Sequence, residues 1–306
     1  MALSSSEAQL GDAVAAPIST HLDPYGDSPA RHAWRRFAQN RAALVSCVIL
    51  ALIILACFVG PWLLPYGFDD TDWLSISLPP GFANMHWFGT DELGRDVLVR
   101  TLIGGRISLE VGLLGTTLTV AIGVAWGATA GYAGGKIDAA MMRVVDMMYA
   151  IPYMLIAILM MTLFGRAFYL VVLTISLFSW IDMARVVRGQ TLMLKKREFI
   201  DAARATGVPA ARIVWRHIVP NLLGVVIIYA TVTVPGIILT ESVLSFLGLG
   251  VQEPMTSWGV LIADGTSKME VRPWLLAFPG VLLIATLYCT NYIGDALRDA
   301  FDPKVQ

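Results

Sequence analysis

The 306 residues are 56% hydrophobic and only 15% charged, with a mean hydropathy of +0.66 and a formal net charge of −1. Soluble domains carry about a quarter charged residues, and the charges here are confined to short segments between long uncharged runs, which excludes an ordinary soluble globular chain. The near-zero net charge argues neither for nor against a polyanionic partner.

Residues 1–30, rich in Ser, Ala, Gly and Asp, show no periodicity and are read as a disordered cytoplasmic tail. The first apolar run begins only at Ala42 and is too long for the h-region of a signal peptide. Six apolar segments follow in order. Ala42 to Tyr66 carries Pro61 and Pro65 near its far end, and Val111 to Ala130 ends in a Gly131–Gly135 turn. Met147 to Gly165 contains Pro152, and Ala167 to Ala184 is interrupted only by Asp182. Asn221 to Thr240 and Trp274 to Gly294 complete the set. Each approaches the roughly 20 residues that a helix needs to cross a bilayer. The expected fold is therefore all-α and integral to the membrane, with six transmembrane helices. Cys47, Cys57 and Cys289 all lie in apolar runs and read as packing residues, not as a disulfide framework.

Positive charge sets the orientation. With the N-terminus in the cytoplasm, sixteen of the 22 Lys and Arg residues fall inside, eight of them between Arg185 and Arg216. Both termini are therefore expected in the cytoplasm. Two loops, 67–106 and 241–273, face outward, and Trp62, Trp87 and Trp274 suit the headgroup level.

The inward loop 185–220 carries the strongest local signal. The stretch from Glu198 to Pro220 reads as a short helix stopped at Gly207, with Pro209 in the first turn of a second helix and Pro220 preceding the fifth span. Ala202 and Ala203 form a shallow helix surface, and Phe199 is available as a knob for a partner pocket. A DNA-reading helix-turn-helix would need a domain that this loop between two spans has no room for. From the residues alone, an amphipathic connector on the inner leaflet and a protein-docking site both stay open.

The loop resembles the signature of ABC importer permeases: Glu-Ala-Ala, three residues, Gly, nine residues, Ile, any residue, Leu-Pro. Here it reads Asp201-Ala202-Ala203, Gly207, His217, Val219-Pro220, with Asp201 in place of Glu and His217 in place of Ile. His86-Trp87-Phe88-Gly89-Thr90-Asp91-Glu92-Leu93-Gly94-Arg95-Asp96, Ser245 to Gly250 and Gly294 to Lys304 resemble further marks of the dipeptide, oligopeptide and nickel permeases. Tyr66 to Trp73 and Met269 to Trp274 look most like the oligopeptide permease C subunit. The resemblance implies a type I, MetI-like fold, with an N-terminal helix and outer loop over 31–106 and the ABC transporter type-1 transmembrane domain over 107–298. It also implies a subunit of the bacterial inner membrane that imports oligopeptides by alternating access. The implied partners are a second permease in a heterodimer, two cytoplasmic ABC ATPases and an extracytoplasmic peptide-binding protein. Glu198, Phe199, Asp201, Ala202, Ala203, Gly207, Pro209 and Pro220 would then carry the coupling helix that docks on an ATPase.

No phosphate-binding loop is present: around Gly135-Lys136, Ala130 and Ile137 break the required pattern. ATP and Mg are thus expected on the ATPase subunits, with no cofactor, metal or nucleic acid bound by this chain. The outer signature also suits a tight capped turn, with Arg95 and Asp96 as a solvated pair, so a structural role is favoured there over peptide contact. Arg106 with Glu110, Asp182 with Arg185, and Glu241 are the ionisable candidates for ion pairs or a translocation path. Dipeptides or nickel remain alternative cargoes. An ion-coupled secondary transporter is the reading from another class, against which stand the uncharged span interiors and the lack of a visible repeat.

Overall fold

The computed structural model describes residues 29–81 and 85–301, so nearly all of the predicted tail lies outside the described residues. Among the described residues the chain is helical, and its only β pairing is an isolated Thr90–Asp96 bridge. Helix α1 (Pro29–Gln39) leads into α2 (Arg41–Leu63), where Asn40 caps the start by accepting the Ala43 amide at 3.2 Å. Then come α3 (Val97–Ala133), α4 (Gly135–Ala150), α5 (Tyr153–Phe164) and α6 (Phe168–Leu194). The inward loop holds α7 (Glu198–Ala205) and α8 (Ala210–Ile213), the latter running through a π turn into α9 (Val219–Phe246). Helix α10 (Trp258–Thr266) and α11 (Trp274–Phe301) complete the order.

Five of the six expected spans are helices long and apolar enough to cross a membrane. The expected third span is not one straight helix. Its first residues end α4, the chain bends by 80°, and α5 continues for only 12 residues. Pro152 causes the break, because a residue preceding proline is pushed out of the α region and Ile151 adopts an extended backbone (φ −82°, ψ 127°). Other boundaries also move. Helix α3 begins at Val97, inside the stretch expected to be outer loop, because the Asp96 carboxylate caps it by accepting the Val99 amide at 2.9 Å. At 37 residues α3 is about 55 Å long, well beyond a hydrocarbon core of about 30 Å. Similarly, the fifth span is helical from Ala210, not Asn221. Pro220 lacks an amide donor, and the turn before it widens so that the Val219 amide reaches the Val214 carbonyl.

Helices α3 and α6 form the most intimate pair in the fold. Gly123, Gly127 and Gly131, four residues apart, line one face of α3 against α6. A Cβ at Gly123 would sit 2.5 Å from Met183 Cγ, and one at Gly127 would run into the Ala184 carbonyl oxygen. At Gly131 it would come 2.9 Å from the Arg188 carbonyl oxygen. Lipid tails are as apolar as leucine, so close backbone approach of this kind supplies much of the packing energy between spans.

Three further contacts fix the outer half. Trp258, fully buried, fills the space left by Gly105 and donates its indole N–H to the Thr101 carbonyl at 3.0 Å. Ile53 and Cys57 bring α2 against α3 and α11 in the same cluster. By contrast most other apolar residues of α2, such as Val45, Val48 and Leu52, remain exposed, as suits a span facing lipid.

Candidate functional site

Helix α7 is amphipathic. Ile200 and Ala203 turn inward to join Val124 and Ala128 of α3, Met183 and Val187 of α6, and Leu222 and Val226 of α9. Ile213, Val214 and Ile218 of the following segment enter the same cluster. Burying these side chains stabilises the loop by about 1.5–3 kcal/mol for each large residue, so the loop is a structured ledge and not a floating connector.

The outward face carries the rest of the predicted set. Glu198, Asp201 and Ala202 are exposed, and Phe199 is 42% exposed. Asp201 and Arg204 pair at 3.1 Å. Of the two alanines, Ala202 therefore belongs to the exposed surface and Ala203 to the core. Gly207 adopts φ +77° with open space where a side chain would stand. That left-handed turn closes α7 and brings the Val208 amide to the Ala203 carbonyl at 3.1 Å. Pro209 sits one position earlier than expected, as the residue before α8, and Pro220 lies exposed in the first turn of α9.

Two clamps that local spacing does not reveal brace the ledge and the spans beside it. Arg188 of α6 grips both oxygens of Asp138 on α4, at 2.6 and 2.7 Å. Lys195 reaches the Tyr132 carbonyl, and both Lys195 and Arg204 lie over the Tyr132 ring. The partners are 50 and more residues apart, so only the fold brings them together.

The ionisable candidates divide. Arg106 and Glu110 pair at 2.9 Å on one face of α3, with the guanidinium over Phe58. Asp182 and Arg185 do not pair. Arg185 turns instead to Asp146 at 2.9 Å and lies over Tyr149, because the α4 end offers it both a carboxylate and a ring face. Glu241 does not stand open at the outer end of its span. It is fully buried, receiving the Ser245 hydroxyl at 2.6 Å and the Ser108 hydroxyl at 3.1 Å. Ser108 in turn accepts the Trp258 amide at 3.2 Å, so Glu241 links α9, α3 and α10.

The outer signature folds on itself. Asp96 is buried, pairs with His86 at 2.8 Å and caps α3, while Tyr66 stacks on the imidazole. It forms no pair with Arg95, which binds Asp91 at 2.7 Å and Glu253 at 3.2 Å. Glu92 bridges to the second outer loop through Lys268 and Arg272, both at 2.8 Å. Lys268 foremost, then Arg272, holds the Glu92 carboxyl below its ordinary range. Asp264, half-buried in α10, is pushed up by desolvation. Among the described residues no group of three or more His, Cys, Asp or Glu converges as a metal site would require.

Residues 123–306, which include the whole ledge, match the family described as binding-protein-dependent transport system inner membrane component. The chain belongs to that family. Residues 28–80 of the permease match a second family, the N-terminal TM domain of oligopeptide transport permease C. The oligopeptide transport system permease protein OppC of Haemophilus influenzae is 53% identical over 91% of this chain and 90% of its own length. OppC of Escherichia coli K12 is 52% identical over 94% and 95% respectively. The dipeptide transport system permease protein DppC of Bacillus subtilis is 41% identical over 91% and 87%. The chain is thus an inner-membrane permease component of an ABC importer, a non-catalytic subunit in a system whose ATPase activity lies elsewhere.

Proposed function

We propose that this permease forms one half of an oligopeptide translocation pore and that the ledge Glu198–Pro220 is its coupling surface for a cytoplasmic ATPase. The observation that carries this reading is the division of α7 into two faces. Ile200 and Ala203 anchor it in the core shared by α3, α6 and α9, and Phe199 and Ala202 stand outward beside it. A surface that transmits force needs both an anchored side and a free side. ATP binding that draws two ATPases together would carry α7 with them and shift the spans between inward-open and outward-open arrangements. A second permease, two ATPases that bind ATP and Mg, and an extracytoplasmic peptide-binding protein complete the assembly.

The domain division follows the same logic: residues 31–106 form an added helix and outer loop, and 107–298 form the transporting unit. The identities to oligopeptide permeases across both ends of the chain support oligopeptides as cargo. Co-purification tests the proposal. The solubilised permease is expected to bring down two ATPases, and peptide uptake by the reconstituted complex is expected to require ATP. Retrieval without any ATPase would overturn it, and uptake of dipeptides only would move the substrate assignment to the dipeptide permeases.

A further inference from the structure

The break between α4 and α5 opens a cavity of about 350 Å³, bordered by Tyr149, Tyr153, Phe178, Ser179, Asp182 and Thr240. Asp182 lies midway along α6, within its apolar length, and is exposed. No Lys or Arg of the described residues lies within 4.0 Å of its carboxylate, since Arg185 is drawn away by Asp146 and by the Tyr149 ring. A carboxylate left without a cation inside a span is costly and marks a site that receives a partner.

The walls of the cavity share one preference. Tyr153 and Phe178 pack as a tilted pair with ring centroids 5.9 Å apart, and Thr240 borders the same space. Aromatic faces attract cations. Helix α4 ends at the cavity, so its carbonyl terminus, the negative end of the helix dipole, is turned toward the same space. Carboxylate, ring faces and helix terminus all favour a compact positive charge with hydrogen-bond donors.

The geometry points to a subsite for a primary ammonium group, in which Asp182 receives the protonated amino terminus of the peptide in transit. This rests on the oligopeptide reading above and deepens it. Peptides of varied sequence share only their backbone and their two charged ends, so a path that handles them all can hold the ammonium end without reading side chains. Asp182 supplies the ion pair and the Tyr153–Phe178 wall excludes water from one side of it. Arg185, held by Asp146, keeps a fixed cation off Asp182 and leaves the place free.

The test is uptake by the complete reconstituted complex, using one peptide with a free amino terminus and the same peptide acetylated there. Both are supplied above their measured affinities for the binding protein. In Asp182→Asn, maximal uptake of the free peptide is expected to fall roughly tenfold or more, the loss of a charged hydrogen bond, with the acetylated peptide's rate unchanged. Asp182→Glu is expected to keep the preference for the free amine, and ATPase activity in the assembled variants reports correct folding. An equal loss for both peptides, or no loss for either, would overturn the subsite. Failure of the unaltered complex to take up either peptide would instead remove the oligopeptide reading on which the subsite depends.

Discussion

Arg188 and Asp138 meet as a two-pronged pair, with the guanidinium Nε and Nη2 each bound to a separate carboxylate oxygen at 2.6 and 2.7 Å. The pair ties α6 to the start of α4, next to the coupling ledge and on the cytoplasmic side of the break. Planar two-point pairing of this kind is among the stronger polar contacts available to side chains. Asp138 is nearly buried and Arg188 about one-third exposed, which reduces the benefit but does not abolish it. A double-mutant cycle with Asp138→Asn and Arg188→Gln should return a coupling energy of about 1–2 kcal/mol, read from thermal unfolding of the detergent-solubilised complex. Additive effects would show that the pair is incidental.

Adjacent residues on α7 should fail in different ways. Phe199→Ala removes an exposed ring and leaves the core intact, so the permease should fold and reach the membrane yet bind the ATPases weakly. Ile200→Ala opens a cavity among α3, α6 and α9, at a cost of about 2–5 kcal/mol. Its yield and melting temperature should drop first. Measuring ATPase retention beside thermal stability for both variants separates docking from folding.

Glu241 offers a test of what a buried carboxyl is for. Its two hydroxyl donors, from Ser108 and Ser245, bind separate carboxylate oxygens; an amide oxygen can keep one of them, and the amide NH2 can donate to the other hydroxyl once that rotor turns. Glu241→Gln should therefore stay within about 1 kcal/mol of the parent. Glu241→Ala strands buried hydroxyls and leaves a void, and should cost about 2–4 kcal/mol. A large loss in the Gln variant, measured by unfolding and by uptake, would assign the charge itself a role.

The contact between the two outer loops should weaken in acid. Lys268 and Arg272 lower the Glu92 carboxyl below its ordinary value of 4.5. A lowered folded value means that the stabilisation is complete above the unfolded value and is lost as pH falls through the folded one. Protection against hydrogen exchange in loop 64–81 and 85–96, taken relative to the intrinsic rate at each pH, should therefore fall as the pH drops below about 4. In Glu92→Gln the loop should exchange faster at neutral pH, and this part of the pH dependence should vanish.

Much of this was legible in the sequence, for reasons that can be named. Long uncharged runs and the clustering of Arg and Lys on one side express the cost of placing charge in hydrocarbon, which acts residue by residue. The two-helix form of the ledge was legible from Gly207 and Pro209 because turn chemistry is local. The break at Ile151–Pro152 was visible as a proline but read as a tolerated one, since a proline inside a span can kink a helix or end it. Pairing was the least legible layer. Spacing suggested Asp182 with Arg185, but Asp146, 39 residues away in sequence, takes the arginine. Likewise Asp96 looked like a solvated surface residue and is a buried cap, because its neighbours His86 and Tyr66 come from across the loop. Local spacing shows which partners a residue can reach on its own helix, but not which ones another helix will offer.

The glycine seam between α3 and α6 bears on how motion travels. With Gly123, Gly127 and Gly131 seated against α6, the two helices lie too close for any side chain to stand between them. The two therefore behave as a double-walled strut, and Ile200 and Ala203 are wedged into its lower end between Val124, Ala128, Met183 and Val187. A displacement applied to α7 would be passed to the strut through this shared core, with the Ile151–Pro152 break beside it as the joint. Stiffness in one pair of helices and a joint in the next turn a push at the cytoplasmic face into a change of angle at the cavity that holds Asp182.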